Sequence, residues 1–133
     1  NTTVWLTTEL VIGEEPFNGY GGFVSRFQDD RNFYLFIIDS LGRFQIQLQH
    51  EGGWSTIQPW VNHDSIQNAG KSNVVRMEDT GQTLRFLNNN QLLYEISDVI
   101  LPIGKVGLVG GADMNRLSEV NFHYIKVEKR LIQ

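Results

Sequence analysis

The chain has 133 residues, 41% hydrophobic and 20% charged, the balance of one globular domain long enough to bury a core without staples. It has no cysteine, which excludes a disulfide framework and any thiolate metal site, and its formal net charge of -4, without a Lys- or Arg-rich run, opposes a nucleic-acid partner. No apolar stretch approaches the roughly 20 residues needed to cross a bilayer, so membrane insertion is not expected.

In chain order, TTVWLTTELVI alternates polar and apolar residues with the period of a half-buried strand. A turn is expected at Gly13 to Asn18, a strand at Tyr20 to Phe27, a polar turn at Gln28 to Asn32, then the strand FYLFIID. Beyond Ser40 to Arg43, FQIQLQ sets Phe44, Ile46 and Leu48 on one face and Gln45, Gln47 and Gln49 on the other. WSTIQPW comes next, and its Pro59 restricts it to an edge or an irregular strand. After a weak stretch, Val61 to Ser72, come NVVRMED, TLRFLN and QLLYEI, turning at Thr80-Gly81-Gln82 and at Asn89-Asn90. VGLVGG and EVNFHYIKVEK close the series. About ten short strands, turn signals every 8 to 12 residues or so and no amphipathic helix define an all-β sandwich or barrel, one domain over residues 1–133.

The order GGFVSRFQDDRNFYLFIIDSLGRFQI, GGW, NVVRMEDTGQTLRFLNNNQLL, GKVGLVGG and VNFHYIKV resembles concanavalin A-like lectin and glucanase domains. More narrowly it is similar to the laminin-G-like and 3-keto-disaccharide-hydrolase-like branch of bacterial secreted and surface proteins, over Phe17 to Val127. The resemblance implies a jelly-roll β-sandwich of two antiparallel sheets, one of them concave, with Tyr34, Phe36 and Ile38 in the core beside Phe44, Ile46 and Leu48. It also implies an extracellular or cell-surface location. Two positions depart from the family pattern: Asn89-Asn90 replaces the favoured Asn-Gly, and Phe122-His123-Tyr124 replaces Phe-Asp-Asn, which removes any role of that aspartate.

Catalytic patterns are sparse. Glucanases of this fold carry carboxylates spaced along one strand, because a glycosidic bond needs an acid and a base or nucleophile on opposite sides of it. Here Glu14-Glu15, Glu78-Asp79, Glu95 and Asp98 are scattered, there is no G-x-S-x-G, and His50, His63 and His123 lack zinc-ligand spacing. GLVGG has no helix after it and reads as a packing or bulge element rather than a dinucleotide loop. Asp29, Asp30, Asp39 and Asn32 carry hard oxygens suited to calcium but read better as a polar turn, so no cofactor is expected.

The concave sheet remains. Alternation sends Phe33, Leu35, Ile37 and Asp39, with Arg43, Gln45, Gln47 and Gln49, to the side opposite the core, and the same rule adds Arg26, Arg76 and Glu78. Amide and guanidinium groups suit sugar hydroxyls, and Trp54 or Trp60 could stack on a sugar's apolar face. The expected ligand residues are therefore Arg26, Gln45, Gln47, Trp54 and Arg76, in a noncatalytic carbohydrate-binding or adhesion-type module of a larger exported or surface protein. The alternatives are a glycoside or 3-keto-disaccharide hydrolase, and an interaction domain without a small-molecule ligand that uses Leu35 and Ile37 as an apolar patch against a neighbouring domain or an identical copy.

Overall fold

The computed structural model describes residues 2–14, 19–112 and 118–131. Residues 15–18 of the expected Gly13 to Asn18 turn, and residues 113–117 after GLVGG, lie outside these residues. Ten strands are described: β1 (Thr2–Ile12), β2 (Gly19–Asp29), β3 (Asn32–Asp39), β4 (Arg43–His50), β5 (Gly53–Asn62), β6 (Ser72–Asp79), β7 (Leu84–Asn88), β8 (Gln91–Ile96), β9 (Lys105–Ala112) and β10 (Val120–Leu131). They form two antiparallel five-stranded sheets, β10-β1-β6-β7-β8 and β5-β4-β3-β2-β9. We call these the A and B sheets. The chain changes sheet after β1, β5, β8 and β9, which is the crossing pattern of a jelly roll.

The core lies between the sheets. Leu6 and Leu10 of β1, Met77 of β6 and Phe86 of β7 face Phe23, Phe36 and Ile46, all at most 1% exposed. Phe36 and Phe86 stack across the sandwich with ring centres 4.5 Å apart, so Phe86→Ala would open a hole costing about 3–5 kcal/mol. Tyr34, Phe36, Ile38, Phe44, Ile46 and Leu48 are all buried, as expected. Pro59 sits in β5, an edge strand of the B sheet whose pairing with β4 slips twice.

The asparagine triplet divides its work. Asn89 and Asn90 have φ of 48° and 66°, the doubly left-handed geometry of a tight hairpin turn. Asn89 also accepts Val74 N at 2.8 Å and donates to Ser65 O at 3.0 Å. Asn88 is fully buried and donates to Ser65 O and to Asn73 Oδ1, pinning the 63–71 loop to the hairpin.

Candidate ligand-binding face

The outer face of the B sheet is built in rows. Phe33 of β3 lies opposite Gln49 of β4, which lies opposite Trp54 of β5. The Trp54 indole meets Phe33 edge-on at 5.5 Å, and Phe33 stacks on Phe27 at 5.7 Å. With the Gln49 amide oxygen turned to the indole, Trp54 Nε1 donates to it at 2.8 Å, and the amide nitrogen donates to Asp30 O at 2.8 Å. Trp54 is thus fixed at its polar edge and along one flank, yet is 55% exposed.

In the next rows Leu35 lies between Val24 and Gln47, and Ile37 between Gly22 and Gln45. A side chain at Gly22 would collide with the Phe36 carbonyl, so only glycine lets β2 approach here. Gln45 and Gln47 are half-buried, and Gln47 Nε2 stands a long 3.5 Å from Thr56 Oγ1, which leaves both amides available. The apolar patch expected at Leu35 and Ile37 is not there: Ile37 is 4% exposed and Leu35 half-buried. Cross-strand and diagonal neighbours close over these outward side chains, as they do where a sheet curls toward its own outer face.

At the far end Asp39 accepts Leu41 N and Arg43 N at 3.0 Å each and takes the Arg43 guanidinium at 2.6 Å. It is the lynchpin of the β3–β4 turn. Arg43 in turn lies 5.1 Å from the Trp60 ring. From the Gln49 row to the Arg43 row is about 20 Å along β4.

The outer face of the A sheet is chemically different. Trp5 carries the Arg76 guanidinium 4.2 Å and the Arg130 guanidinium 3.8 Å from its ring centre. Glu78, 5% exposed, accepts from Arg76 at 2.9 Å and from Arg85 at 3.1 Å, while Glu128 pairs with Arg130 and Lys126. Arg76 and Glu78 therefore do not join Gln45 and Gln47; they sit on the opposite face of the sandwich. Alternation gives their outward facing correctly, but it cannot say which sheet a strand enters.

Against this geometry, three solved structures are informative. Carbohydrate binding module CBM66 from Bacillus subtilis aligns with a TM-score of 0.76 at 18% identity, covering 96% of this chain and 76% of that one. Sheep galectin-11, in complex with glycerol, gives 0.69 at 8% identity over 95% and 90% of the two chains. The β-glucanase of Bacillus licheniformis gives 0.65 at 10% identity over 95% and 66%. The fold is a concanavalin A-like jelly roll. No family model and no curated protein matches the sequence.

Within this jelly roll Arg26 is a correction. Alternation along β2 predicts it on the outer face, but pairing with β3 is irregular between Ser25 and Asp29, and Arg26 takes a φ of 50°. That bulge turns the side chain inward. The guanidinium, 4% exposed, grips Asp79 at 2.7 and 2.9 Å, Gly81 O at 3.1 Å and Leu101 O at 2.8 Å. It ties β2 to the β6–β7 turn and to the connection leading into β9.

The oxygen set considered for calcium is split along β3, with Asp29 and Asn32 at one end and Asp39 at the other. Arg31 N and the Asn32 amide donate to Asp29, holding its carboxyl below the ordinary value. Glu95 and Asp98 both line a cavity of ≈ 240 Å³ between β5 and β8, beside Tyr34, Leu48 and Ile57. Glu95 there is paired with Arg85 at 3.3 Å. His63 contacts Ser65 Oγ at 2.9 Å and His123 contacts Glu9 at 3.0 Å on the A face, so neither lies near Trp54. Phe27, Phe33, Gln49 and Arg43 are the neighbours of Trp54, Gln45 and Gln47 that the sequence did not single out as ligand residues. Phe33, Gln49 and Arg43 are recoverable from alternation and adjacency; Phe27 is not, because the bulge precedes it.

Proposed function

We propose that the chain is a noncatalytic carbohydrate-binding module of a larger exported or surface protein, and that the ligand lies along the outer face of the B sheet. The observation that carries the reading is Trp54, an exposed indole fixed by Gln49 and Phe33 on the same face as the available amides of Gln45 and Gln47. A rigid ring loses little entropy when a sugar's C–H face stacks on it, and the amides offer paired donors and acceptors to neighbouring hydroxyls. The likeness to a carbohydrate binding module and to a galectin agrees with a sugar ligand. A hydrolase reading finds less support, since Asp39, the carboxylate on this face among the described residues, is spent on the β3–β4 turn and on Arg43.

The test is a glycan-array screen followed by calorimetry on any hit, with calcium and with a chelator. Saccharide binding lost in Trp54→Ala and weakened in Gln47→Ala is the expected outcome; binding indifferent to both substitutions would move the ligand off this face. Calcium-dependent binding would call for a metal site near the β2–β3 turn.

A further inference from the structure

Among the described residues the sandwich has four edge strands, and β10 differs from the other three. β8 has six residues, β5 carries Pro59 and two register slips, and β9 contains three glycines. β10 runs for 12 residues without proline or glycine, pairs with β1 on one side, and has its one irregularity near Glu9 and Leu10. A long regular edge presents a row of unpaired backbone donors and acceptors. Its core-side row is also uncovered. Ile125 and Val127 lie opposite Thr8 and Leu6, which are 0% exposed, yet they are themselves 52% and 57% exposed, and Leu131 is 78% exposed. Only Val120 and Phe122, at the other end of β10, pack on the core.

We propose that β10 pairs antiparallel with β10 of a second copy of this chain, about a two-fold axis at Val127. The charge pattern selects that register. With the axis at Val127, Lys126 of each copy lies opposite Glu128 of the other, Arg130 lies opposite Tyr124, and Val127 meets its own counterpart. One residue in either direction sets Lys126 against Lys126 or Glu128 against Glu128. A two-residue shift leaves Glu128 opposite Phe122 or sets Lys129 against Lys129. Lysine on an edge strand ordinarily blocks pairing, and here the block is lifted in a single register by Glu128. Lys129 would run its aliphatic stem along Ile125 of the second copy and keep its ammonium in water. The interface is self-complementary, joins the two A sheets into one, and leaves both B faces open, so the pair would engage a repeating ligand twice.

Sedimentation equilibrium on the purified chain tests this, with circular dichroism confirming that each variant is folded. A dimer is expected whose association constant falls on the order of tenfold in Lys126→Glu and in Glu128→Lys, and recovers when both are combined. A wild-type chain that stays monomeric at roughly 0.1 mM, single variants that dimerise undiminished, or a double variant that fails to recover would each overturn the proposal.

Discussion

The two outer faces obey the same alternation and put it to different uses. On the A face nearly every charge has a partner: Arg76, Arg85, Arg130, Glu78 and Glu128 are tied to one another around Trp5. On the B face Trp54 is exposed and the Gln45 and Gln47 amides are largely uncommitted, while the ion pair of Asp39 with Arg43 closes a turn. A face whose polar groups are satisfied by one another has little left to offer a ligand. A face with fixed but unspent groups does. Trp5 and Trp54 thus both sit outward on one small sandwich, the first serving as the centre of a charged plate and the second as a prepared surface.

The largest expected effect separates both faces from the framework between them. Arg26→Ala would leave Asp79 unpaired at 15% exposure and strip donors from two carbonyls, costing about 3–5 kcal/mol in urea unfolding. If Arg26 acted instead as a ligand residue, the substitution would cost affinity with little loss of stability.

Next in size is the contrast between the tryptophans. Trp5→Ala should cost about 2 kcal/mol, since two guanidinium contacts and partial burial are lost together, and should leave saccharide binding untouched. Trp54→Ala should change stability by about 1 kcal/mol or less but weaken saccharide binding tenfold or more, read by calorimetry. Affinity lost at Trp5 rather than Trp54 would exchange the roles of the two faces.

How much of this is legible in the sequence depends on the residue. The ten strands, the edge position of the Pro59 strand and the inward set from Tyr34 to Leu48 come from a period of two and from turn chemistry, both local properties. Trp54, Gln45 and Gln47 fall on one face because β3, β4 and β5 are joined by short turns and pair in sequence order. Alternation misplaces Arg76 because a long connection separates β5 from β6 and the chain changes sheet across it, which no periodicity records. It misplaces Arg26 because of a single bulge: against β9, Val24 pairs with Gly107 and Phe27 with Lys105, so β2 carries one extra residue between them, and that reverses the facing of the side chains after it. Ile37 shows a third limit: it faces outward as expected, and its burial depends on neighbours the sequence does not align with it.

The smallest effect sits where the A face meets the hairpin. Asn89 and Asn90 share a left-handed backbone, but only Asn89 spends its side chain on the fold, bonding Val74 and Ser65. Asn90 makes an exposed contact of 3.3 Å with Arg76 Nη1. Asn90→Gly relieves the steric cost of a positive φ and gives up only that weak contact, so thermal unfolding should show a gain of about 0.5 kcal/mol. Asn89→Gly should run the other way, because it leaves Val74 N without its acceptor. If Asn90→Gly lost stability instead, the Arg76 contact would be worth more than its exposure allows, and the charged plate around Trp5 would extend through the turn.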